Sequence, residues 1–184
     1  MKLGTSSTLF VIAVATLAFP LAADAKLART GSPSVSFTAV GPAGLKIVGT
    51  TSDLDVVDDA ASVTITVPLA NLTTGIALRD RHMREKYLQV QNYPNATLKV
   101  DRASVKFPAP GAESTGDAQG TMAIHGKTHP VSFHYTAKKE GAGYAVSGSV
   151  HVDMKDYGID VPSYLGVTVK PDVEIAVRFV ANDT

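Results

Sequence analysis

Residues 131–154 read VSFHYTAKKEGAGYAVSGSVHVDM, and the fold class turns on them. Val131, Phe133, Tyr135 and Ala137 alternate with Ser132, His134 and Thr136. Beyond Glu140-Gly-Ala-Gly143, the residues Tyr144, Val146, Gly148, Val150, Val152 and Met154 alternate with Ala145, Ser147, Ser149, His151 and Asp153. Successive strand residues point to opposite faces, so this period of two gives each run one apolar face and one wet face. Two such runs joined by a Gly-rich turn form an antiparallel hairpin.

The same period recurs on both sides of the hairpin. It is found in Val35-x-Phe37-x-Ala39, in Val63 through Leu69, in Leu98-x-Val100, Val105-x-Phe107 and Met122-x-Ile124, and in Val173-x-Ile175-x-Val177-x-Phe179. Turn signals separate the runs: Gly41-Pro-Ala-Gly44, Asp58-Asp59 and Gly126-Lys127. The stretch Pro108 to Asp117 reads as an exposed loop, and Gly148 as a bulge or barrel corner. The expectation is an all-β fold, an antiparallel up-and-down (lipocalin-like) barrel of about eight strands. One segment breaks the alternation. In Ile76 to Val90 (IALRDRHMREKYLQV), Ile76, Met83, Tyr87 and Val90 recur at helical spacing. This predicts a short inserted helix near residues 78–90, covering a barrel end or sheet edge. Asp80 would cap it or pair with Arg84 one turn on.

The start of the chain carries a different signal. Lys2 precedes an apolar run from Leu9 to Leu21 that closes on Ala23-Asp24-Ala25, the small-x-small pattern of a cleaved signal peptide. The expected division is a signal peptide over 1–25 and a single barrel domain over 26–184, in the periplasm or secreted. No cysteine is present, which rules out disulfides and a lipid-attachment cysteine. Lys plus Arg equal Asp plus Glu at 17 each, and Trp is absent, so neither a basic field nor stacking platforms recruit nucleic acid.

Catalytic patterns are missing. There is no Gly-x-Ser-x-Gly elbow, no cysteine nucleophile and no cofactor motif. His125 and His129 straddle a turn and His134 and His151 share a polar face, yet neither pair has the further ligands of a zinc site. Asp53, Asp55, Asp58 and Asp59 read as turn chemistry, without the order of a calcium loop. Asn71-Leu-Thr and Asn95-Ala-Thr match the glycosylation triplet, which matters only in a eukaryotic secretory route. A barrel of this size either fills its interior with side chains or holds one small ligand. Small residues on the apolar faces (Ala39, Gly120, Ala137, Gly148) are compatible with both. A cavity with such walls would take a hydrocarbon chain, each buried methylene contributing about 0.8 kcal/mol. Arg79 and Asp80 fall beside the apolar side of the helix, either as a structural ion pair or as groups that hold a ligand's polar head.

Ser36-Phe37, Lys46-Ile-Val-Gly49, Thr73-Thr-Gly-Ile76, Arg79-Asp80-x-His82-Met83, Tyr93-Pro94, His125-Gly126 with Pro130-Val131, and Asp156-Tyr157-Gly158-Ile159 occur in that order. Together they resemble the YceI-like family of exported, lipocalin-like polyisoprenoid-binding proteins. The chain departs from the family at Lys155, where Arg is common, and in an extended Pro162-Ser-Tyr-Leu165 loop. The resemblance implies a long internal cavity for an isoprenoid-type lipid, such as a quinone tail or polyprenyl chain. Its apolar lining would comprise Phe37, Ile65, Val67, Met83, Tyr87, Met122, Phe133, Tyr135, Val150, Val152, Ile175 and Val177. Arg79, Asp80 and His82 would stand at the mouth, and loading would involve transient membrane contact. Two rivals remain: a lipid-processing enzyme with His82 and Asp80 as its acid–base pair, and a filled-core structural or stress module.

Overall fold

The computed structural model describes residues 26–59, 61–164 and 167–183. The expected signal segment lies outside them. The strands are β1 (Leu27–Val40), β2 (Lys46–Thr51), β3 (Asp55–Asp58), β4 (Ser62–Pro68), β5 (Asn95–Asp101), β6 (Glu113–Ile124), β7 (Lys127–Glu140), β8 (Gly143–Asp153), β9 (Ser163–Tyr164), β10 (Val167–Thr168) and β11 (Asp172–Asp183). Apart from the small β9–β10 ribbon they form one antiparallel sheet, in the order β11-β8-β7-β6-β5-β4-β3-β1-β2. β1 also pairs with β11, from Leu27↔Asp183 to Ala39↔Val173, and that pairing closes the sheet. β2 and β3 lie one after the other along the free edge of β1, opposite its second and first halves. They act as one broken stave, so the barrel has eight staves, as the alternation predicts.

The break leaves β2 without β4 as a neighbour. A Thr50↔Thr73 bridge fills the gap, tying β2 to the segment that leaves β4. That segment continues into helix α1 (Ala77–His82) and a π-helical turn over Met83–Tyr87, where the Leu88 N–H reaches back to the Met83 carbonyl. The observed helix thus covers most of the expected span. Single π-turns inside helices recur at functional sites. Buried Met83 packs with Leu69 and Leu72, and Arg84 Nη1 donates to the Leu72 carbonyl, pinning the helix to the barrel.

The antiparallel registers place the β1–β2 turn, the β4–β5 segment, the β6–β7 turn and the β8–β11 connection at one end of the barrel. Leu27, Val35, Leu54, Phe179 and Ala181 are buried together toward the opposite end and fill it. There the buried Asp58 carboxylate accepts from Arg102 Nη1 and the Leu27 N–H, and Asp59 accepts from the Ser62 N–H at 2.6 Å.

Several local expectations are corrected. Val105 and Phe107 are not in a strand; Phe107 instead packs edge-on against Tyr144. The loop after Pro108 stops at Ala112, because β6 begins at Glu113 and pairs with β7 along its whole length. Gly148 is no bulge: it sits in unbroken register opposite Tyr135 and Val177. The register shift lies in β1, between Thr30 and Ser34, beside Gly31 with φ +66°.

Candidate functional site

The barrel encloses a cavity of about 730 Å³, within the size range of small-molecule sites. Each strand's inward face supplies apolar side chains. Phe133, Tyr135, Val150 and Val152 are each at most 9% exposed, whereas the intervening His134 and His151 are exposed. All twelve apolar residues named from the sequence lie on the wall: Phe37 on β1, Ile65 and Val67 on β4, Met122 on β6, Phe133 and Tyr135 on β7, Val150 and Val152 on β8, Ile175 and Val177 on β11, and Met83 and Tyr87 on the helical segment. Alternation identified the strand residues, and helical spacing the last two. Leu69 and Met154 continue the alternation just past their strands, but it missed Leu72, Leu88, Tyr157, Ile159 and Val169. These come from connections, where no period marks an inward side.

Glycines let two aromatic rings approach the backbone. A Cβ on Gly49 would lie 2.1 Å from the Phe37 ring, so that ring rests directly on β2. His125 and Gly126 form the two-residue β6–β7 turn, both with positive φ (51° and 73°), as a type I′ hairpin requires. A Cβ on Gly126 would lie 2.5 Å from the Tyr93 ring, which packs edge-on against His125 at 4.6 Å. His125 Nδ1 lies 3.1 Å from the Tyr157 carbonyl, which can only accept and therefore fixes the proton on Nδ1. His129 packs edge-on against the Tyr157 ring at 5.1 Å. Burial, and after it the Asp156 carboxylate, push the Tyr157 hydroxyl up. The Tyr93, His125-Gly126 and Tyr157 motifs, distant in sequence, thus meet as one aromatic cluster at the helix end of the barrel. His125 contacts the Tyr157 backbone, and His129 its ring.

The mouth lies at the same end. Arg79 and His82 line it, joined by Lys86, Ile76 and Leu78. Asp80 does not. Its buried carboxylate accepts from Thr73 Oγ1 at 2.6 Å, the Thr74 N–H at 2.7 Å and Thr74 Oγ1. Burial alone would raise its pKa, but the Thr73 and Thr74 hydrogen bonds, with Arg84 nearby, hold it at about 2. Arg79 bonds the same loop, through Nε to Thr74 Oγ1 at 2.7 Å and Nη2 to the Thr74 carbonyl at 2.9 Å. The expected Arg79–Asp80 ion pair is therefore replaced by a shared neutral partner, Thr74. Thr74 lies five residues before Arg79 and six before Asp80, an offset that neither the strand nor the helix period predicts. Asp80 caps no helix end by its side chain, since the N-cap is Ile76. Among the described residues no hydrogen bond joins His82 to Asp80, whose carboxylate is held by Thr73 and Thr74.

His134 and His151 are likewise separate. His134 opposes Ser149 and His151 opposes Glu174 on its other side. His134 Nδ1 contacts Asp117 at 2.9 Å and His151 Nδ1 contacts Asp172 at 3.1 Å, both in the open. Exposed pairs of this kind contribute about 1 kcal/mol or less.

A family model described as the YceI-like domain matches residues 29–181. A UPF0312 protein of Pseudomonas putida is 26% identical over 172 residues, covering 84% of this chain and 86% of its own. Another, from Pseudomonas savastanoi, is 30% identical over 122 residues, 62% of this chain and 61% of its own. Among solved structures, a polyisoprenoid binding domain from Saccharophagus degradans, implicated in plant cell wall breakdown, superposes with a TM-score of 0.72 at 17% identity, covering 87% of this chain and 99% of that one. Burkholderia cenocepacia BcnA superposes at 0.64 and 20% identity, covering 82% and 96%. At such identities the likeness to the solved structures is one of fold.

Proposed function

Because this chain belongs to the YceI-like domain family, we propose that it binds an isoprenoid-type lipid in the barrel and carries or stores it in the periplasm. The observation that supports this reading is the 730 Å³ cavity, walled mainly by apolar side chains along the barrel, with its Arg79, His82 and Lys86 all on the helical segment. A hydrocarbon tail would lie along Phe133, Val150 and Ile175, and the head would stand near Arg79 and His82. A tail of ten buried methylenes gains about 8 kcal/mol of transfer free energy before the loss of its own chain entropy. The Saccharophagus neighbour is a polyisoprenoid binding domain, which is consistent with this cargo. So is the apolar stretch from Leu9 to Leu21, which would direct the chain out of the cytoplasm.

Protein purified from its native host supplies the test. Mass spectrometry of its organic extract should show a long-chain prenyl lipid near one per protein, with Lys26 as the N-terminal residue. An extract without lipid, together with no binding of added polyprenol, would overturn the cargo. Intact Met1 on membrane-bound protein would overturn the periplasmic site.

A further inference from the structure

The large apolar side chains left in water are not spread over the barrel. Six are exposed among the described residues, and four of them, Leu45 at 56%, Val48 at 43%, Ile76 at 53% and Leu78 at 51%, lie toward the helix end of the barrel. Leu45 ends the β1–β2 turn, Val48 lies on β2, and the Thr50↔Thr73 bridge sets β2 beside the segment that carries Ile76. The other two, Val57 and Val180, lie toward the far end, where β3 and β11 meet the start of β1.

Ile76 and Leu78 are unusual in a second respect. Each is about half in solvent, yet each also lines the cavity. Their apolar surface is therefore continuous from the outside of the protein into its interior. Cations border it: Arg79 and Lys86 line the mouth together with His82, and Arg81 is exposed beside them. Of the two carboxylates on the helical segment, Asp80 is buried against Thr73 and Thr74, leaving Glu85 as the exposed one. A short helix with apolar side chains bordered by Arg and Lys is suited to the interface of an anionic bilayer, where the apolar groups enter the headgroup region and the cations pair with lipid charge.

We propose that the mouth, led by Ile76, Leu78, Arg81 and Lys86, docks on the surface of an anionic membrane. The apolar path into the barrel then faces the bilayer, so a hydrocarbon tail passes between them without crossing water. This goes beyond the lipid-binding reading, which supplies only its purpose. The test needs no cargo, so its failure leaves the extraction result standing.

The absence of cysteine makes a local readout available. An environment-sensitive dye would be placed on Leu78→Cys, and on Val180→Cys as the control at the far end, in the full chain. Each would be mixed with phosphatidylglycerol-containing vesicles and with pure phosphatidylcholine vesicles. Because the dye reports its own surroundings, any attachment through residues 1–25 does not mimic the signal. The expected result is a blue shift at Leu78→Cys on the anionic vesicles, little shift on the neutral ones, and none at Val180→Cys. Adding Arg81→Gln with Lys86→Gln should move the titration midpoint to higher lipid, by roughly fivefold per charge removed. Ile76→Cys is the second labelled position should Leu78→Cys fail to melt like the parent. Equal shifts at both ends, no shift at any lipid concentration, or equal response to the two vesicle types would overturn the proposal.

Discussion

Asp80 illustrates how one residue's environment sets its part. The sequence offers two partners of opposite charge, Arg79 and Arg84, but the carboxylate is satisfied mainly by the hydroxyls and N–H of Thr73 and Thr74. Its role is to hold the loop that holds Arg79, with Thr74 as the common link. Asp80→Ala removes three part-buried hydrogen bonds to a charged acceptor and should lower stability by about 2 kcal/mol, measured by denaturant melting at pH 7. The pH dependence follows from the same bonds. A carboxyl whose folded pKa is about 2, below its ordinary 3.8, contributes stability that is complete above about pH 4 and disappears as pH falls through 2. Asp80→Ala should therefore lose less stability than the parent between pH 4 and pH 2. Parallel losses would mean that Asp80 carries no such bonds.

At the scale of the element, β8 offers the sharpest test of inside against outside. Val150 is 6% exposed on the cavity wall, and its neighbour His151 points to solvent beside Asp172. Val150→Asp would place an unpaired carboxylate in an apolar interior and should cost several kcal/mol or abolish folding. His151→Asp should stay within about 0.5 kcal/mol of the parent, as surface changes do, with Asp172 adding only exposed repulsion. Equal effects on the melting temperature would refute the orientation of the strand. This orientation was legible from sequence because a strand's faces alternate with a fixed period. The connections were not legible. Tyr157, 2% exposed and part of the wall, sits in a turn after β8, and nothing periodic distinguishes it from a surface tyrosine.

Over the whole molecule, the two ends of the barrel do different things. The helix end gathers the mouth, the cations and the aromatic cluster, and the opposite end is packed and tied by charge. Asp58 has a fully buried side chain and pairs with Arg102, whose guanidinium also lies over the Phe107 ring. This joins β3, the chain after β5 and, through the Leu27 N–H, the first residue of β1. Arg102→Met removes the cation from a buried pair and should cost about 3 kcal/mol, read as a shift in the denaturation midpoint. Asp58→Asn added to Arg102→Met should recover part of that loss, since a neutral amide no longer needs the cation. No loss in the single variant would show that this end is held by packing alone.

The sequence by itself determined the antiparallel all-β class, most of the long strands with their inward faces, and the inserted helix, because alternation and turn chemistry act between near neighbours and are written in local periods; the broken β2–β3 stave and the β1–β11 closure were not written there. The family motifs were also legible one at a time, as short strings in a fixed order. Only the tertiary structure decided what those strings do together. It brought Tyr93 onto Gly126, His125 onto Tyr157, and Asp80 and Arg79 onto Thr73 and Thr74. It also decided that the interior is open rather than filled, since the volume enclosed by a barrel depends on how all its staves close at once. Long-range closure has no period, and so it leaves no mark in any single stretch of chain.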